Sequence, residues 1–138
     1  MEGSTLTSKA LAKTIAALAL SKKAHNVVIL DLRKLTSMSD FFVICSADSD
    51  TQVRAIADAI RDGSAEAGER VWHDEGYGES TWVLLDFVDV VVHVFYKETR
   101  SFYNLEKLWG DAKFEHVEDK PAAKGTRKAR LPRKVARQ

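Results

Sequence analysis

The chain predicts an α/β protein of the α+β kind, with a mixed β-sheet of about five strands and helices packed on it. Three observations support this. Apolar periodicity switches between helical and strand spacing several times along 138 residues. Two short β-branched runs follow the first helical stretch with only a polar loop between them. A third run, "STWVLLDFVDVVVHVF" (80–95), reads as a hairpin. The resulting order α-β-β-α-β-β-β-α requires helices laid on a sheet with both strand directions.

Each element follows from its own residues. Leu11, Ile15 and Leu18 recur at helical spacing after "STLTS", which supplies N-cap candidates, so residues 6–23 are expected to form an amphipathic helix with Lys22 and Lys23 at its C-terminal dipole. "NVVILDL" (26–32) and "DFFVICS" (40–46) read as strands. Ser49 and Gln52 have capping-box spacing ahead of Val53, Ile56, Ala57 and Ile60, which share one helical face, and the helix is expected to end by Gly68. "RVWHDE" (70–75) is a third strand, and the hairpin turns around Asp86–Phe87–Val88–Asp89. Thr99 is expected to cap a final helix with Phe102, Leu105 and Trp109 inward, stopped by Gly110.

Composition sets the class. Hydrophobic content of 45% and charged content of 30% suit a soluble globular protein, and no apolar run approaches the roughly 18 residues of a membrane span. The N-terminal apolar stretch is broken by Lys9 and Lys13 and lacks a basic leader with a cleavage pattern, so no signal peptide is expected. A lone Cys45 fits a reducing cytoplasm. The net charge of +1 conceals an asymmetry. Residues 120–138 hold eight Lys/Arg and no acid, leaving 13 basic against 20 acidic side chains, or −7, on residues 1–119. One domain over 1–119 and a disordered basic tail over 120–138 are expected.

Few residues suggest reaction chemistry. His25, His73, His93 and His116 stand in no zinc spacing, and no cofactor signature is present. Cys45 sits inside an apolar strand, where a thiol is usually inert. "GYG" (76–78) precedes a strand, not a helix, and reads as a turn. Asp86 and Asp89 could hold Mg²⁺ in a nucleotidyltransferase-like enzyme, but they flank a turn, where aspartate bonds nearby backbone amides. The basic tail admits a second alternative, an RNA-binding module.

Alternation defines the surface that carries Trp82 and His93. Trp82, Leu84 and Asp86 share a face, as do Val91, His93 and Phe95; Val83, Leu85, Val90, Val92 and Val94 lie opposite. The aliphatic face is expected to pack under the helices. The mixed face, rich in aromatics and poor in Lys or Glu, suits a partly buried contact surface, against the alternative that Trp82 is core and His93 a hydrogen-bonded structural histidine.

"SDFFVICSADSDTQVRAIADAI" and "EGYGESTWVLLDFVDVVVHVFYKETRSFYNLEKLW" resemble the ribosomal silencing factor family, also called RsfS or Iojap, over about residues 6–112 and without the basic tail. The resemblance implies a nucleotidyltransferase-like fold without the catalytic motif, no cofactor and no enzymatic activity. It implies a cytoplasmic translation repressor that binds ribosomal protein fourteen of the large subunit and blocks joining of the small subunit when nutrients are scarce. Homodimers are implied for the free protein. The family's ribosome-facing tryptophan falls on Trp82, and other motif positions are Asp40, Glu75, Gly76, Asp86, Asp89, His93, Arg100, Tyr103 and Trp109, with Leu84 beside Trp82 on the mixed face. The tail is expected to touch ribosomal RNA. The chain departs at one hairpin position, where the family usually has glycine and this sequence has Val88. A β-branched residue resists positive φ, so a turn that needs glycine there is not expected.

Overall fold

The computed structural model describes residues 6–118; the expected tail at 120–138 lies outside them. Helix α1 (Ser8–Ser21) begins where the Thr7 hydroxyl accepts the Ala10 amide at 3.0 Å. Strands β1 (His25–Asp31) and β2 (Phe41–Ala47) follow, then helix α2 (Asp50–Glu66). The Ser49 hydroxyl caps α2 through the Gln52 amide at 3.1 Å. The Gln52 side chain departs from the expected capping box. It accepts the Asp48 amide and donates to the Lys22 and Lys23 carbonyls, which ties the start of α2 to the end of α1.

The remaining strands are β3 (His73–Glu75), β4 (Trp82–Asp86), β5 (Val90–Tyr96) and β6 (Lys113–Val117), with short helices α3 (Lys97–Tyr103) and α4 (Leu105–Leu108) between the last two strands. All form one sheet in the order β3-β4-β5-β2-β1-β6, where β2 and β5 run parallel and every other neighbouring pair is antiparallel. The sheet is mixed, as expected, with one more strand than the sequence suggested. Strand β6 escaped because Lys113, Glu115 and His116 break any apolar pattern. It is an exposed edge strand, where charge discourages pairing with other chains.

Both faces of the sheet are used. The aliphatic face, with Val83, Leu85, Val90, Val92 and Val94, is buried against Leu11, Ile15, Val53, Ile56 and Ile60 of the two long helices. On the other face Val28, Leu30, Leu32, Ile44 and Phe95 form a smaller core under Leu105 and Trp109. The last helical segment differs from the expected single helix capped at Thr99. It starts directly after β5 at Lys97 and breaks at Asn104, whose φ of 48° places it in the left-handed region. That break resets the helical phase. Leu105 and Trp109 therefore pack inward as expected, whereas Phe102 points outward and is 81% exposed.

The β4–β5 hairpin corrects the expectation for Val88. This residue has φ of 78°, and the Asp89 amide donates to the Phe87 carbonyl at 3.0 Å, closing a γ-turn of the strained, positive-φ kind. Local sterics are overruled by the surroundings. Asp86 Oδ1 accepts the Val88 amide at 2.7 Å, and the Asp89 carbonyl accepts the Asp40 amide, the Phe41 amide and the Ser39 hydroxyl. Glycine at position 88 would relieve strain of about 1–3 kcal/mol and add about 0.5–1 kcal/mol of unfolded-state entropy. Val88→Gly is therefore expected to stabilise the domain by about 1 kcal/mol, read as a higher urea midpoint at unchanged slope; a lower midpoint would show that the turn is unstrained.

Candidate functional site

The exposed half of the mixed face is centred on Trp82. Pairing puts Trp82 opposite Phe95 and Leu84 opposite His93, while parallel pairing puts Ile44 beside His93. Strand alternation thus gathers the aromatic groups in the middle of the sheet, where α3 and α4 cover only part of them. Phe95 is fully buried, His93 is 4% exposed, and Trp82, Leu84, Asp86 and Val91 are half-buried. The Trp82 ring lies between Phe95 and Tyr103, with ring centres at 4.9 and 4.7 Å. Tyr103 remains 51% exposed. A depression of about 830 Å³, lined by Gly76, Glu79, Trp82, Tyr96, Phe102 and Tyr103, opens beside this ring.

His93 takes the structural reading, and Trp82 does not take the core reading in full. Trp82 Nε1 donates to His93 Nδ1 at 3.1 Å. Indole nitrogen is a donor only, so His93 must carry its proton on Nε2. Burial pushes the imidazole down to about 4 and keeps it neutral. Trp82 is thereby oriented by a buried neighbour while its outer edge stays open. That arrangement suits an anchor for a partner.

Several motif residues serve the scaffold. Gly76 has φ of 96°, and a Cβ there would lie 1.9 Å from the Trp82 carbonyl oxygen. The Ser80 amide donates to the Gly76 carbonyl, so "GYG" is a turn. Arg100, with its side chain 11% exposed, donates to the Asn26 carbonyl and Ser46 hydroxyl and grips Glu106 with two bonds. It joins α3 and α4 to β1 and β2. Asp40 accepts the Ser8 hydroxyl at 2.7 Å and helps hold the Asp89 carbonyl. Glu75 is exposed at the sheet edge and pairs with His73. Asp86 caps its own turn. Asp86 and Asp89 thus behave as turn formers, and among the described residues no group of three His, Cys, Asp or Glu side chains is placed to hold a metal ion. Cys45 is fully buried, and desolvation pushes its thiol up to about 12, so it is protonated at neutral pH.

One feature of this face has no signal in the sequence. A cleft of about 490 Å³ lies next to Trp82 over Phe42, Leu84, Val91 and His93, walled by Trp72 and Trp109. Trp72 is 73% exposed. Its walls come from segments far apart in the chain, so no local spacing marks them. The one local clue is a tryptophan at position 72 among polar residues.

Fold and face together define a mixed-sheet α+β domain that presents an oriented aromatic surface. Comparison with known proteins makes this specific. The family description "Ribosomal silencing factor during starvation" matches residues 5–138, and so runs through the basic segment that the quoted motifs do not reach. Ribosomal silencing factor RsfS of Bacillus subtilis is 49% identical over 104 residues, spanning 75% of this chain and 88% of that one. The chloroplastic protein Iojap of Zea mays is 38% identical over 104 residues, spanning 73% of this chain and 44% of its own. A crystal structure of a Chromobacterium violaceum protein superposes with a TM-score of 0.75 at 33% identity, covering 86% of this chain and 98% of that one. This chain belongs to the ribosomal silencing factor family. The family is named for a regulatory role, ribosomal silencing, and the chain is a regulator of that family. Among the described residues, no helix is long and apolar enough to cross a membrane.

Proposed function

We propose that this chain is a ribosome-associated translation repressor that docks its Trp82 face on ribosomal protein fourteen of the large subunit and blocks joining of the small subunit. The observation that carries the reading is the coincidence of family membership with a half-buried tryptophan on a sheet face left partly uncovered. The family's description, which names starvation, supports a role when nutrients are scarce. Trp82, Leu84 and Tyr103 form the centre of the contact. Asp86, Asp89 and Glu75 lie at its rim. Gly76, Asp40, His93 and Arg100 hold the surface in shape.

The mechanism needs occupancy alone. A contact of roughly 800 Å² per partner is within reach of a domain this size, and a body fixed at the joining surface fills space that the small subunit requires. The protein acts in the cytoplasm, the basic tail at 120–138 adds contacts to ribosomal RNA, and the free protein forms homodimers through its uncovered apolar surface. Mixing purified large subunits with the protein before adding small subunits is the test. Joined ribosomes are expected to fall in proportion to occupancy of the large subunit; an unchanged yield at full occupancy would refute the block.

A further inference from the structure

The depression beside Trp82 combines two kinds of group. It is lined by the rings of Trp82, Tyr96, Phe102 and Tyr103 and by two acids, Glu79 and Glu98, with no basic side chain among its lining residues. Both acids are exposed, and neither forms an ion pair or a side-chain hydrogen bond among the described residues. Aromatic faces attract a cation and a carboxylate holds it, and a planar guanidinium can stack on the one while pairing with the other. That combination suits arginine.

The register shows where the chain's own arginines begin. Strand β6 pairs Val117 with Val27, near the start of β1; His25 of β1 pairs with Ser46, Ala47 of β2 with Tyr96, and Phe95 of β5 with Trp82. The described chain therefore leaves the sheet at the same end as the depression. Four inter-strand spacings, about 19 Å, separate β6 from β4. Arg127 follows Glu118 by nine residues, which span up to about 30 Å when extended. Charge agrees with reach, since residues 120–138 hold eight Lys/Arg and no acid while residues 1–119 carry −7.

We propose that the chain's own segment 127–133, which holds Arg127, Arg130 and Arg133, docks in this depression and covers Trp82 in the free protein. A guanidinium stacks on the rings and pairs with Glu79 or Glu98, and Leu131 lies against Phe102, which is 81% exposed. The contact is a latch, because the segment and a partner cannot both occupy the surface at Trp82. Its regulatory sense rests on the docking reading: the large subunit would displace the segment and free its charges for RNA. The contact itself is read on the free protein, so the two readings fail separately.

Ala129→Cys places a thiol between Arg127 and Arg130 without changing any charge, and the buried Cys45 leaves it the accessible one for a nitroxide label. In nitrogen-15 NMR of the labelled full-length protein, the amides of Gly78, Glu79, Thr81 and Thr99 are expected to lose more than half their intensity. Those of Asp58, Asp62 and Glu66, exposed acids of α2, should keep theirs. Adding Glu79→Gln and Glu98→Gln, both at exposed positions, should restore most of the lost intensity. Equal losses on α2, losses that survive the two glutamine substitutions, or no loss at the depression would overturn the proposal. So would the same losses in unlabelled nitrogen-15 protein mixed with nitroxide-labelled nitrogen-14 protein, since they would come from a second copy.

Discussion

Replacing Gly76 by alanine is expected to cost about 3–5 kcal/mol and to lower the melting temperature by roughly 15 °C, a larger loss than most surface substitutions produce. Two independent effects act at this position. The φ of 96° is one that side-chain-bearing residues rarely adopt, and the new Cβ would fall 1.9 Å from the Trp82 carbonyl oxygen, far inside contact distance. The neighbour is backbone at the first residue of β4, so it moves only if the strand moves. Displacing it would disturb the pairing of Glu75 with Leu84 and of Trp82 with Phe95. Gly78 is the internal control. It lies two residues on in the same turn, and a Cβ there meets nothing within 4 Å. Gly78→Ala should leave the melting temperature within a few degrees of the parent. Similar melting of both variants and the parent would show that the turn at Gly76 can relax.

Trp82→Ala is expected to weaken binding to the large subunit by at least about 2 kcal/mol, roughly thirtyfold, as for a central aromatic anchor. The substitution has a cost in stability too. It removes the ring packed on Phe95 and Tyr103 and leaves the buried His93 Nδ1 without its donor, so a loss of about 3 kcal/mol in folding is expected alongside. Trp82→Phe separates the two effects. It keeps most of the packed ring while losing the same hydrogen bond, so it should share part of the stability loss and recover much of the affinity. Binding must be measured where urea titration shows each variant folded. A folded Trp82→Ala protein with parental affinity would remove Trp82 from the interface.

The two predictions draw on different kinds of information. The alternation in residues 80–95 gave the hairpin, its aliphatic inner face and the aromatic outer one, because strand period and burial agree there. Helix α2 was legible for the same reason, with its cap and apolar stripe pointing to one answer. Where local and tertiary preferences disagree, the sequence was read less well. Val88 takes a conformation its side chain resists because Asp86 and three donors to the Asp89 carbonyl hold the turn closed. Strand β6 looks like a charged linker because an edge strand exposed on its outer side has no reason to be apolar. Asn104 interrupts a run that otherwise has helical spacing.

The candidate site was legible in part. Motif resemblance singles out residues without saying what each one touches. Geometry gives Gly76 the tight turn under Trp82, Arg100 the tie between the short helices and β1 and β2, and Asp40 the support of the hairpin. Trp82, Leu84 and Tyr103 retain the exposure that a contact needs. Trp72 and the cleft it walls were invisible, since only the folded chain brings residues 42, 72, 91 and 109 together.

Cosedimentation with separated ribosomal subunits tests the central claim most directly. The parent protein is mixed with purified large subunits, with purified small subunits and with intact ribosomes, and each mixture is pelleted. The protein should pellet with large subunits alone and be excluded from intact ribosomes, whose joining surface is already occupied. Equal recovery with large and small subunits would contradict docking at the large-subunit joining surface.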